Sequence, residues 1–289
     1  MADPLIRWTA EVPALRRPVL VVSMDGFIDA GEAASNAAMF LRHRWAADPV
    51  ATFDRDTFID FRARRPTSVI DNGVLRRIEF GDLAVLVAKV PDAPHDAVFL
   101  LGPEPDMRWE RFCDCVVDLC RGLGVEAALG LGAYPAAAPH TRPTQIVSAV
   151  NVAAGDLVPT AARVPGYTGP VGAQIVLQHR LGEAGIPAVG LWAEVPHYIS
   201  ANAHPSSALA LVQVVAETFG VAVDTGELEL AAAAHDAQVD EAVADHPDAA
   251  EMVPRLAAHV DAGGATQQVP SGDDLAAEIE RFLSERNDQ

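Results

Sequence analysis

Pro18-Val19-Leu20-Val21-Val22-Ser23-Met24, followed by Asp25-Gly26-Phe27-Ile28-Asp29-Ala30-Gly31, is the stretch on which the fold turns. The apolar, β-branched run has no polar alternation, which suits a strand covered on both faces. The acidic, glycine-bearing loop then leads into a helical pattern from Glu32 to Trp45. The strand–loop–helix theme recurs downstream. Leu83 to Val90 and Val98 to Leu101 read as buried strands, and 108–122 as a helix. Residues 126–134 read as a strand, 169–185 as a helix, 188–193 as a strand and 206–220 as an apolar helix. Strands alternating with helices predict an α/β fold with a mainly parallel sheet. Val50 to Phe61 reads as a polar strand suited to an edge, and Thr144 to Val150 as a further strand. Asn72-Gly73 between apolar flanks predicts a hairpin with a type I′ turn. After Gly220 only helical patterns remain, at 227–244, 249–262 and 273–286. The chain therefore divides into an α/β domain, 1–222, and a C-terminal helical extension, 223–289.

The 289 residues carry a formal charge of −19. That balance excludes a phosphate-backbone binder, which needs clustered positive charge. Of 21 basic residues, only Lys89 is a lysine. No apolar run reaches the roughly 18 residues of a spanning helix, and the N-terminus lacks the basic and apolar regions of a signal peptide. A cytoplasmic protein is expected. Cys113, Cys115 and Cys120 lie on one predicted helix, with 115 turned about 200° from 113. They lack zinc-site spacing and read as small buried thiols.

Two Pro-His loops are the strongest chemical feature. Ala138-Pro139-His140-Thr141-Arg142-Pro143 follows one predicted strand, and Val195-Pro196-His197-Tyr198 follows another. In open parallel sheets ligands bind outside the carboxyl ends of strands, so both loops point to one surface. His140 and Arg142 suit a carboxylate or phosphate, with the guanidinium as a bidentate fork. The alternative is that Arg142 bonds loop carbonyls or an acid such as Asp25. His197 and Tyr198 read first as packing residues. His204, before Pro205, suits either a turn or the same rim, whereas His43, His179 and His259 read as helix-surface residues.

Asp25, Asp29 and Glu32 offer three carboxylates at a strand-to-helix turn, suited to a cation. The competing reading makes Asp29 and Glu32 a capping box and Asp25 a turn residue. Nucleotide-binding, Gly-x-Ser-x-Gly and His-Glu-x-x-His signatures are absent, so no catalytic residue is assigned, and no cofactor or metal is expected.

The motifs Val-Ser-Met-Asp-Gly-Phe-Ile-Asp-Ala-Gly from Val22, Pro-His-Thr-Arg-Pro from Pro139, Gly-Leu-Trp-Ala-Glu-Val-Pro-His-Tyr from Gly190 and Pro-Ser-Gly-Asp-Asp-Leu from Pro270 together resemble the PAC2 family, named for a proteasome assembly chaperone, and its actinobacterial branch in particular. The resemblance spans about Val19 to Leu283. It implies a three-layer α/β/α fold similar to nucleoside phosphorylases and related hydrolases, a helical C-terminal extension and a homo-oligomer. It also implies a non-enzymatic chaperone or adaptor role with a protein partner such as proteasome subunits. The alternative is a phosphorylase- or hydrolase-type protein holding a small anionic ligand in the crevice of Asp25, Asp29, Glu32, His140, Arg142, His197 and Tyr198. No nucleic acid or membrane partner is expected.

Overall fold

The computed structural model describes residues 3–153, 162–163 and 166–263. In chain order these form β1 (Ile6–Trp8), β2 (Val19–Asp25), α1 (Ala33–Arg44), β3 (Asp48–Phe53), α2 (Arg55–Phe58), β4 (Thr67–Asp71), β5 (Val74–Glu79), β6 (Ala84–Ala88) and β7 (Ala97–Pro103). There follow α3 (Trp109–Leu123), β8 (Ala127–Ala136), β9 (Ile146–Val150), β10 (Ala162–Arg163), α4 (Ala173–Glu183), β11 (Ala188–Pro196), α5 (Pro205–Phe219), α6 (Gly226–Ala244) and α7 (Pro247–Asp261).

Nine strands make one sheet in the order β1-β3-β6-β7-β2-β8-β11-β9-β10. Its centre, β7-β2-β8-β11, is parallel, as the buried runs predict. Antiparallel pairs flank it, β6 on β7 and β9 on β11. β2 shows why the run from Val19 is continuously apolar. Val19 and Val21 pack with α1 and α5 on one face, while Leu20, Val22 and Met24 pack with α3 and α4 on the other. Three layers result, and two cores rather than one.

The strand expected over Val50 to Phe61 is shorter. β3 ends at Phe53, and the side chain of Asp54 accepts the Thr57 N–H at 2.8 Å, capping the short helix α2. β3 is also not an edge, because β1 pairs outside it. The hairpin β4–β5 turns at Asn72 and Gly73, both at positive φ, as the type I′ reading requires. The fourth helix starts at Ala173 rather than Gly169. All three cysteines are free and buried, Cys115 included, because Asp3 of the N-terminal segment lies against it. Burial, the largest influence, pushes each thiol up to about 12. The helices expected after Gly220 appear as α6 and α7, whereas the one expected at 273–286 lies outside the described residues. No helix among the described residues is long and apolar enough to cross a membrane.

Candidate functional site

β8 and β11 run parallel in register from Ala128–Ala188 to Ala136–Pro196, so the two Pro-His loops leave the sheet at one level. The loops then join. The Tyr198 hydroxyl accepts the His140 backbone N–H at 2.9 Å and lies 2.6 Å from His140 Nδ1. His140 Nε2 lies 3.0 Å from Asp240 Oδ1 on α6. One arrangement satisfies every atom: Tyr198 O–H donates to Nδ1, and Nε2–H donates to the carboxylate. His197 Nδ1, 3.2 Å from the Ala136 carbonyl, pins the end of β8. Arg142 forks its Nε and Nη2 onto Asp261 of α7 at 2.8 and 2.6 Å, and its Nη1 donates to the Thr141 carbonyl.

Between the loops and helices α5 to α7 lies a cavity of about 530 Å³ whose walls include His140, Arg142, Glu194, His204, Asp236 and Asp240. Glu194 is buried and accepts the Tyr134 hydroxyl at 3.0 Å. Burial first, then this carboxylate, pushes the phenol up. His204 enters at the start of α5. Its backbone N–H donates to the Gly31 carbonyl at 2.8 Å, and the Gly31 N–H donates to the Ser200 carbonyl. Gly31 sits at φ +60, and a Cβ there would lie 2.9 Å from His204 Cβ, so only glycine allows this approach. Burial, reinforced by neighbouring His235, pushes the His204 imidazole down to about 4.

The acidic loop stands apart from this cavity. Asp25 is 3.5 Å from Arg64 rather than from Arg142. Asp29 Oδ1 accepts the N–H groups of Ala34 and Ser35 at 2.8 and 3.3 Å, capping α1. Glu32 does not close the capping box: it occupies the left-handed region at φ 49 and makes no side-chain cap. A second strand-end feature is filled from within. Glu104, just past β7, accepts the Ala173 N–H at 2.5 Å, occupying the N-terminus of α4 where an anion would bind.

The sequence therefore places His140 and Arg142 on the cavity, with Tyr198 holding His140 from behind. Asp25, Asp29 and Glu32 are not among its lining residues. Asp236, Asp240 and His235 were not anticipated. Their one sequence signal is the four-residue spacing of Asp236 and Asp240, which puts both on one face of α6.

A layered α/β/α protein with a parallel sheet centre and a crevice at its strand ends, roofed by C-terminal helices, is the class these features define. The chain belongs to the PAC2 family, whose model matches residues 23–243. It is similar to a PAC2 family protein from Streptomyces avermitilis at 34% identity, covering 82% of this chain and 99% of that one with a TM-score of 0.73. A proteasome-assembly chaperone homologue from Mycobacterium tuberculosis is 33% identical, with 81% and 99% covered and a TM-score of 0.75. A Corynebacterium glutamicum protein of unknown function is 29% identical, with 90% and 98% covered and a TM-score of 0.83. These sources are the actinobacterial branch that the motifs resemble. No curated protein matches the chain in sequence.

Proposed function

We propose that this protein is an assembly-chaperone-like factor that acts, as a homo-oligomer, by holding protein subunits, proteasome subunits foremost, rather than by turning over a small molecule. The observation that carries the reading is the pairing of the crevice's polar groups within the chain. Arg142 is forked onto Asp261, and His140 is held between Tyr198 and Asp240. An anion entering this crevice would have to displace carboxylates from each of these donors. The likeness to the Mycobacterium tuberculosis proteasome-assembly chaperone homologue supports the choice of partner.

The test mixes the purified chain with proteasome core α- and β-subunits and follows mass by light scattering and native mass spectrometry. A defined complex with one subunit type, and faster appearance of assembled core, is the expected result. No complex with either subunit at tens of micromolar, and unchanged assembly, would overturn it.

A second reading keeps the cavity as a small-anion site built on His140 and Arg142, because about 530 Å³ is the size of a ligand pocket. A metabolite screen by thermal shift separates the two. A true ligand at hundredfold excess over Kd adds about 2.7 kcal/mol of stability, and Arg142→Ala would abolish that gain.

A further inference from the structure

We propose that His204, His235 and Asp236 form a zinc site that fastens α6 to the start of α5. Each residue offers a ligand atom, and the three atoms lie within 4.8 Å of one another, the one such group of His, Cys, Asp or Glu among the described residues. His235 Nδ1 and Asp236 Oδ1 are already 3.6 Å apart. With zinc–nitrogen and zinc–oxygen bonds near 2.0–2.1 Å, neighbouring vertices of a tetrahedron lie about 3.4 Å apart. Only His204 has to draw closer.

The second, independent observation is a buried nitrogen without a use. His204 is 2% exposed, and its Nε2 has no hydrogen-bond partner; neither does His235 Nδ1. A buried polar atom left unmet is destabilising, and the cap of α5 uses Nδ1 rather than Nε2. The other ring nitrogen is engaged by Ser207: His204 Nδ1 accepts the Ser207 backbone N–H at 3.3 Å, capping α5, and lies 2.7 Å from Ser207 Oγ, which in turn donates to the Glu194 carbonyl. A lone pair on Nε2 requires the ring proton on Nδ1, donated to Ser207 Oγ in place of the 3.3 Å bond that Nδ1 accepts from the Ser207 N–H, and zinc binding selects that tautomer. The His235 ring stands perpendicular to it, the ring centroids 5.3 Å apart.

The outer contacts match those of built metal sites, where ligating histidines and carboxylates are oriented by a second set of hydrogen bonds. Ser207 orients His204, and Ser206 Oγ donates to both oxygens of Asp236 at 3.1 Å. Two imidazoles and one carboxylate suit zinc, a borderline ion, better than calcium or magnesium, which take oxygen ligands. His204 and Asp236 line the cavity, so the fourth vertex opens on it and is left to water. The site does not depend on the identity of any protein partner.

The experiment titrates chelator-stripped, full-length protein with zinc against a chromophoric chelator, and repeats it with cobalt to read the ligand field. One zinc per chain is expected, with a cobalt spectrum of four- or five-coordinate type. His235→Ala and Asp236→Asn are each expected to weaken binding by more than about tenfold, the lower bound for losing even an orienting partner. Both residues lie on partly exposed helix surface, so circular dichroism and melting serve to confirm that the variants fold. His204→Gln removes the cobalt bands if it folds, but the conclusion does not require it. Absence of stoichiometric zinc in the folded protein, or equal affinity in the two α6 variants, would overturn the assignment.

Discussion

Asp96 ties three parts of the chain that sequence distance separates. It is 1% exposed and accepts the backbone N–H groups of Arg16 and Val90 at 2.7 and 3.2 Å and the Lys89 ammonium at 3.0 Å. Burial is the largest single influence on this carboxyl and acts to raise its pKa. The Arg16 N–H, the Lys89 ammonium and the Val90 N–H together outweigh it and hold the group below its ordinary 3.8. A depressed native pKa means that the ionised form stabilises the fold above the unfolded pKa, and that this is lost as pH falls through the native one. Asp96→Asn turns an amide N–H toward donors and is expected to cost about 2 kcal/mol at pH 7. Urea melts at stepped pH check this: the gap between wild type and variant should shrink below pH 3.8, and a gap independent of pH would count against the account. Nothing local in the sequence marks this residue. Its main partner lies 80 positions away, whereas the Asn72-Gly73 turn was readable because it needs only its own two residues.

At the scale of the element, α1 is governed by one acid whose two roles conflict. Asp29 caps the helix through Ala34 and Ser35, yet burial, the largest influence, raises its pKa above 3.8. An acid with a raised native pKa favours folding below the unfolded value and loses that contribution as pH climbs through the native one. The cap needs only an oxygen acceptor. Asp29→Ala is therefore expected to lose about 1 kcal/mol. Asp29→Asn keeps the acceptor and should gain on wild type as pH rises from below 3.8 to neutrality. Denaturant midpoints of the three proteins across that range decide the matter, and an Asn variant as weak as the Ala variant would refute it. The strands were legible for a related reason: a doubly covered strand advertises itself as an unbroken apolar run, and β2, β8 and β11 do so. β3 and α2 were not, since a single cap at Asp54 cut one polar stretch into two elements. The same limit applied to the site. The loops of His140 and His197 were visible as strand ends, but Asp240, 100 residues from His140, comes from a helix whose docking no local pattern encodes.

For the whole molecule the consequence is an uneven distribution of stability. The sheet centre is sealed on both faces by two apolar clusters, while α6 buries only Ala232 and Val239, and α7 only Val253 and Ala257. What joins these helices to the body is largely polar: Arg142 to Asp261, His140 to Asp240, Ser206 to Asp236, and Arg44 to Asp224 and Glu227. Exposed ion pairs hold weakly and are screened by salt, so the roof of the crevice should open at far lower free energy than the sheet unfolds. Native-state hydrogen exchange in metal-free buffer tests this directly. Amides of α6 and α7 should exchange well before those of β2 and β8, and added salt should widen the difference. Arg142→Ala should speed α7, whose last residue is Asp261, and leave β8 unchanged. Protection in α7 equal to that in β8 would mean that the apolar contacts of Val253 and Ala257 suffice and that the fork is incidental. Chain order alone could not have revealed this, because the net charge of −19 says nothing of where the arginines are placed. Arg142, in the loop after β8, binds one of the two helices that cover the crevice; the groups a ligand would seek are thus the ones that hold the crevice closed.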